Sequence, residues 1–129
     1  MMTSVHDSIM KLKSLYLGMT ISKYISDRQK NLQSICESHH VATLYAFGSS
    51  VNKNFNEVSS DIDLLVTVDI DDPLERGETL ISLWEKLEEL FNKKVDLLTP
   101  ASLNNPVLIK SIDKSKVLIY ERSGQKVFV

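Results

Sequence analysis

Tyr45-Ala46-Phe47-Gly48-Ser49-Ser50, followed after a polar loop over 51–60 by Asp61-Ile62-Asp63-Leu64-Leu65-Val66, is the stretch from which the fold can be read. Its first half is a short apolar run closing in Gly-Ser. Its second half is a strand-like run with two carboxylates at the entrance. Asp is depleted in strands, so two of them beside Leu64, Leu65 and Val66 need a reason. Alternate residues of a strand share a face, about 6.5–7 Å apart along the chain. Asp61 and Asp63 are therefore expected to aim at one point, while Ile62 and Leu64 point to the opposite face. Oxygen ligands converging there suit a hard cation such as Mg²⁺. Two ions about 3.5–4 Å apart could share the pair. Gly48 lets backbone approach a ligand closely, and Ser49 is a good helix N-cap. A strand that ends in Gly-Ser at a helix start offers N–H groups and a hydroxyl to an anion. Phosphate recognition and metal ligation are thus predicted one loop apart.

Outward from this stretch, strands alternate with helices. Strands are expected over 41–47, 62–68, 95–98 and 117–121. Upstream, Thr20 is a plausible N-cap for a helix to about His39, with Ile21, Tyr24, Ile25, Leu32, Ile35 and Cys36 at helical spacing. A shorter helix is expected over 4–17, ended by Gly18. Downstream, Asp72 as N-cap, Pro73 at the first helical position and Glu75 mark the clearest helix start in the chain. Leu80, Ile81, Trp84, Leu87, Leu90 and Phe91 are its predicted apolar face, which makes Trp84 a core anchor rather than a base-stacking platform. Thr99-Pro100 is expected to open a helix over 101–111. This alternation indicates an α/β (α+β) layer with helices packed on a sheet.

The chain has 129 residues, 43% of them hydrophobic and 25% charged, which is ordinary for one globular domain. Net charge is −2 with no Lys/Arg cluster, which argues against direct nucleic-acid binding. The single cysteine, Cys36, lies on an apolar helical face and is expected in the core. One cysteine allows no disulfide within the chain, which fits a reducing compartment. No apolar run approaches the ~20 residues of a membrane span, and His6, Asp7, Lys11 and Lys13 interrupt the amino terminus. A cytoplasmic protein with no membrane association is expected. Adjacent His39 and His40 point in different directions in either a helix or a strand, so they are expected at the surface and not on a metal.

Gly48-Ser49, then Asp61-Ile62-Asp63, then Asp96 within Lys94-Val95-Asp96-Leu97-Leu98, together resemble the nucleotidyltransferases of the polymerase-beta-like superfamily. The similar branch is that of the minimal nucleotidyltransferase (MNT) antitoxins. The resemblance implies a polymerase-beta-like nucleotidyltransferase fold with a mixed sheet. The resemblance covers roughly residues 25–122, and the chain is expected to divide into an N-terminal helical extension over 1–19, a nucleotidyltransferase domain over 20–122, and a tail or edge strand over 123–129. Asp61, Asp63 and Asp96 would be catalytic and would bind metal, two Mg²⁺ ions in all. Gly48, Ser49 and Ser50 would bind the nucleotide, with ATP as substrate and AMP transferred. Two departures stand out. Eleven residues, Ser50 to Ser60, separate Ser49 from Asp61, one more than the usual pattern. Ser50 stands where many relatives carry Arg, which leaves Lys53 as the nearest phosphate-facing cation. A chain this short leaves no room for a second substrate domain, so the acceptor is expected to be a protein. In the antitoxin branch that partner is a helical HEPN-family toxin modified on a tyrosine. Two alternatives remain: a non-catalytic binding module of the same fold, and a homodimer acting on a small-molecule hydroxyl.

Overall fold

The computed structural model describes residues 23–51 and 61–123, together with the backbone of Lys126–Val127; the side chains of Ser49 and Ser50 are not among the described parts. The helix expected over 4–17, the Thr20 cap, and Lys53 with its loop lie outside the described residues.

Val41–Phe47 (β1) and Ile62–Val68 (β2) pair antiparallel through Phe47↔Asp63, which joins the two diagnostic stretches side by side. Val95–Leu98 (β3) then adds parallel to β2, with Ile62↔Val95 and Asp63↔Asp96 in register. Parallel neighbours need a crossover, and Pro73–Phe91 (α2, after the first helix below) provides it. Val117–Glu121 (β4) pairs antiparallel with the other side of β1, and Lys126–Val127 (β5) with β4. The result is one mixed five-stranded sheet in the order β3-β2-β1-β4-β5.

The period of two sorts the strand residues onto two faces. Leu44, Ala46, Ile62, Leu64, Val66 and Val95 enter the main core, under Leu32 and Cys36 of Gln29–Ser38 (α1) and Leu83, Leu87 and Phe91 of α2. Phe47 and Leu65 enter a smaller cluster on the opposite face, closed by Ile112 of Pro106–Ser115 (α3) and bordered by Tyr45, Leu98 and Leu103. Asp63 lies between Ile62 and Leu64 in the chain and belongs to that second face, as the alternation predicts. In β4 the register shifts opposite Leu44 and Tyr45, and both Ile119 and Tyr120 are buried as a result. Cys36 is fully buried, and desolvation followed by the Glu37 charge pushes its thiol up to about 12.

Three expectations are corrected. The second predicted helix is interrupted: residues 23–26 are helical, 27–28 form a turn, and α1 begins at Gln29. Arg28 accounts for the break. Its N–H bonds back to Ile25 O, and its guanidinium donates to Tyr24 O at 2.8 Å and to Leu90 O at 3.2 Å while lying 3.8 Å over the Tyr24 ring. A carbonyl freed by the turn is thereby satisfied and tied to α2. The helix expected over 101–111 starts later. Pro100–Ser102 is a 3₁₀ turn, and Asn105 caps α3 by accepting from Val107 N and Leu108 N, with Pro106 at the first helical position. A residue before proline is pushed out of the helical region, which places the boundary at Asn105. On α2, Asp72 accepts from Glu75 N as predicted, but the buried stripe is Leu83–Leu87–Phe91. Ile81 is 60% exposed and Trp84 40%.

His39 also differs from a plain surface residue. It is half-buried, with Nε2 2.9 Å from Ser82 Oγ and Nδ1 2.7 Å from Ile35 O, and so links α1 to α2.

Candidate active site

The ends of three adjacent strands build the site. β1 runs into Gly48, β2 begins one residue after Asp61, and β3 carries Asp96 as its second residue. Antiparallel pairing of β1 with β2 brings the end of one to the start of the other. Parallel pairing of β2 with β3 brings their starts together. Asp63 therefore sits between Phe47 on one side and Asp96 on the other.

The in-register pairing stands the Asp63 and Asp96 carboxyls side by side, close enough for each to act on the other. Two carboxyl groups in such contact cannot both ionise cheaply. The Asp63 carboxyl is pushed up to about 6: first by burial beside the small core, then by the charge of Asp96, by the hydrogen bond to Asp96 and by the charge of Asp61. Asp61 is exposed at the mouth of the site and makes the smallest of these contributions. Of the three predicted carboxylates, the fold thus joins Asp63 directly to Asp96, and Asp61 stands by.

Gly48 adopts φ +64°, a left-handed conformation that side chains rarely tolerate. A Cβ on Gly48 would stand 2.7 Å from Asp63 Oδ2. The glycine lets the turn into the 3₁₀ segment Gly48–Val51 run directly against the carboxylate. Ser49 and Ser50 belong to that segment.

A cleft of about 650 Å³ opens beside the carboxylates, with Phe47, Asp63, Asp96 and Lys94 in its lining and Leu80, Ile81 and Trp84 as one wall. Trp84 stands on this wall and not in the core where its hydrophobicity would put it, and Lys94 joins the lining without a local signal in the sequence. The signal for Trp84 lay in the spacing: Leu83, Leu87 and Phe91 recur every four residues, and Trp84 is one position off that stripe.

Among the described residues, no group of three or more His, Cys, Asp or Glu side chains forms a ready-made metal cluster. The donor set nevertheless fits Mg²⁺. Mg²⁺ is typically held by one or two carboxylates together with substrate phosphates, not by an all-protein cage. A pressed pair of carboxylates, with a third nearby and a glycine turn alongside, is such a set.

Residues 30–125 match the family described as "Polymerase beta, Nucleotidyltransferase", and the chain belongs to that family of nucleotidyltransferases. It is 33% identical over 100 residues to a Methanocaldococcus jannaschii protein named "Putative protein adenylyltransferase MJ0126", covering 78% of this chain and 98% of that one. Solved structures share the fold. One described as a "putative minimal nucleotidyltransferase" aligns with a TM-score of 0.52 at 23% identity, over 75% of this chain and 93% of the other. A mutant of the "toxin-antitoxin MntA-HpeT" aligns with a TM-score of 0.50 at 21% identity, over 75% of each. Among the described residues, no helix is long and apolar enough to cross a membrane.

Proposed function

We propose that this chain is a Mg²⁺-dependent adenylyltransferase that moves AMP from ATP onto a tyrosine of a helical HEPN-type toxin, and so acts as the antitoxin of the pair. The observation that carries this reading is the contact of Asp63 with Asp96 against the Gly48 turn. Family membership, the name of the M. jannaschii relative and the fold shared with a toxin–antitoxin chain support it.

In this scheme Asp61, Asp63 and Asp96 would hold Mg²⁺, two ions in all, beside the nucleotide phosphates. Bound there, Mg²⁺ would neutralise the charge that spreads over phosphate oxygens in the transition state. The backbone at Gly48, with Ser49, Ser50 and Lys53, binds the triphosphate. The phenolic oxygen attacks the α-phosphorus, the bond from that phosphorus to the β-phosphate oxygen breaks, and pyrophosphate leaves. Asp96 accepts the phenolic proton. A free tyrosine hydroxyl has a pKa near 10 and is a poor nucleophile at neutral pH, so this proton acceptor matters. The attached AMP adds negative charge and bulk, which disrupts a binding surface as phosphorylation can.

Intact-protein mass spectrometry of a HEPN-type partner, incubated with this chain, ATP and Mg²⁺, tests the proposal. Whole AMP additions are expected, and Asp63→Asn should abolish them. A partner that is bound and silenced with its mass unchanged would replace this reading with that of a non-catalytic binding module.

A further inference from the structure

β3 is four residues long and lies at the edge of the sheet, paired on one side with β2. Backbone groups of successive strand residues point to opposite sides. Lys94 O accepts from Ile62 N at 3.0 Å, so the N–H and C=O of the next residue, Val95, face away from β2. Such edge groups are ordinarily left to water or open to another chain. Here α2 takes both. Trp84 Nε1 donates to Val95 O at 2.9 Å, and Glu88 Oε2 accepts from Val95 N at 2.9 Å. The two side chains are four residues apart, so they stand one turn apart on a single helix face.

We propose that Trp84 and Glu88 are positioning residues of the active site: their two-point grip on Val95 fixes the start of β3 and thereby sets Asp96 against Asp63. Asp96 follows Val95 directly, and its contact with Asp63 depends on the register Asp63↔Asp96. A one-residue slip would turn Asp96 to the other face. Four residues of parallel pairing at a sheet edge are a weak anchor, and short edges open locally. Neither gripping side chain belongs to the buried stripe of α2, which is Leu83, Leu87 and Phe91. The grip is thus a separate function of the helix, carried on an adjacent face. Its consequence for metal binding rests on the nucleotidyltransferase reading; the hydrogen bonds themselves do not.

Three variants of the full chain test this. Glu88→Ala removes the acceptor, Glu88→Gln keeps a carbonyl oxygen in its place, and Trp84→Phe keeps a ring but loses the donor. Two quantities are read: Mn²⁺ affinity in the presence of ATP, by electron paramagnetic resonance, and amide hydrogen exchange at Val95 and Asp96, by NMR. Loss of a supporting hydrogen bond behind a metal ligand typically weakens binding by about 10–100-fold, and Glu88→Ala and Trp84→Phe are expected near the lower end of that range. Exchange at Val95 and Asp96 should quicken in both. Glu88→Gln should restore parent-like values in both measurements. Equal loss in Glu88→Ala and Glu88→Gln would overturn the grip in favour of a charge effect, and unchanged exchange in a folded Glu88→Ala would overturn it outright. A parent protein that binds no Mn²⁺ with ATP would refute the proposed function instead. The exchange rates, which need no nucleotide, would still decide the grip.

Discussion

Replacing Gly48 by alanine should damage both stability and the site, while the same change at Gly77 should help the protein. The two glycines differ in everything that matters for a methyl group. Gly48 has φ +64°, and its Cβ would stand 2.7 Å from Asp63 Oδ2; Gly77 lies within α2 with nothing within 4 Å of the added carbon. A left-handed conformation costs a non-glycine residue about 1–2 kcal/mol. The contact adds to this, because 2.7 Å is closer than a Cβ approaches a non-bonded heavy atom, and the Asp63 carboxylate must swing away. At Gly77, alanine relieves the helix-interior penalty of about 0.5–1 kcal/mol. Urea unfolding of both variants should therefore place them on opposite sides of the parent, separated by about 2 kcal/mol or more by these principles. ATP-dependent Mn²⁺ affinity should fall in Gly48→Ala alone, because only there does Asp63 move. A Gly48→Ala protein as stable as the parent, with parent-like Mn²⁺ binding, would refute the close approach of this turn to Asp63.

Metal affinity should also depend on pH. Burial and Asp96 push the Asp63 carboxyl up to about 6 from an ordinary 3.8, so a cation must displace a proton below that pH. Apparent Mn²⁺ affinity should then fall about tenfold per pH unit below about 6 and level off above it, measured by calorimetry. In the metal-free protein the sign for stability is the opposite of a salt-bridged carboxylate: Asp63's contribution is full below about pH 4 and is lost as pH rises through about 6. Cys36, buried and with its thiol pushed up to about 12, should resist iodoacetamide at pH 8 in the native state and react once urea unfolds the chain. Leu83→Ala should cost about 2–5 kcal/mol in urea unfolding and Ile81→Ala no more than about 0.5, which tests which face of α2 is buried.

Much of this fold is written in local signals. The apolar run that closes in Gly-Ser and the strand-like run behind Asp61 mark strands over 41–47 and 62–68, limits that the structure reproduces residue for residue. The Asp72–Pro73–Glu75 start of α2 was readable because a cap, a fixed φ and an N3 acceptor position coincide within four residues. Signals that depend on a partner elsewhere in the chain were not readable. Nothing near Arg28 announces that its guanidinium will reach Leu90 O and interrupt a helix whose apolar spacing continues through it. Thr99-Pro100 carries the same kind of start signal as Asp72-Pro73, yet it yields only a single 3₁₀ turn before Asn105-Pro106 begins the helix.

The site divides in the same way. Gly-Ser and Asp-x-Asp could be seen because each motif lies within two or three consecutive residues at the end of one strand, and the pairing of β2 with β3 supplied what no spacing encodes, the juxtaposition of Asp63 with Asp96. Trp84 shows the limit from the opposite direction. An aromatic among leucines is assigned to the core by hydrophobicity alone, and hydrophobicity is blind to the indole N–H. A fully buried indole would need an acceptor inside an apolar cluster. At the sheet edge, Val95 O is an acceptor that the sheet itself leaves to the helix, and Trp84 Nε1 takes it. The demand of that N–H for a partner and the demand of the edge carbonyl for a donor are met by one placement, half out of the core. The apolar stripe then turns by one position, Leu83 fills the interior, and the wall of the cleft forms where α2 faces the carboxylates.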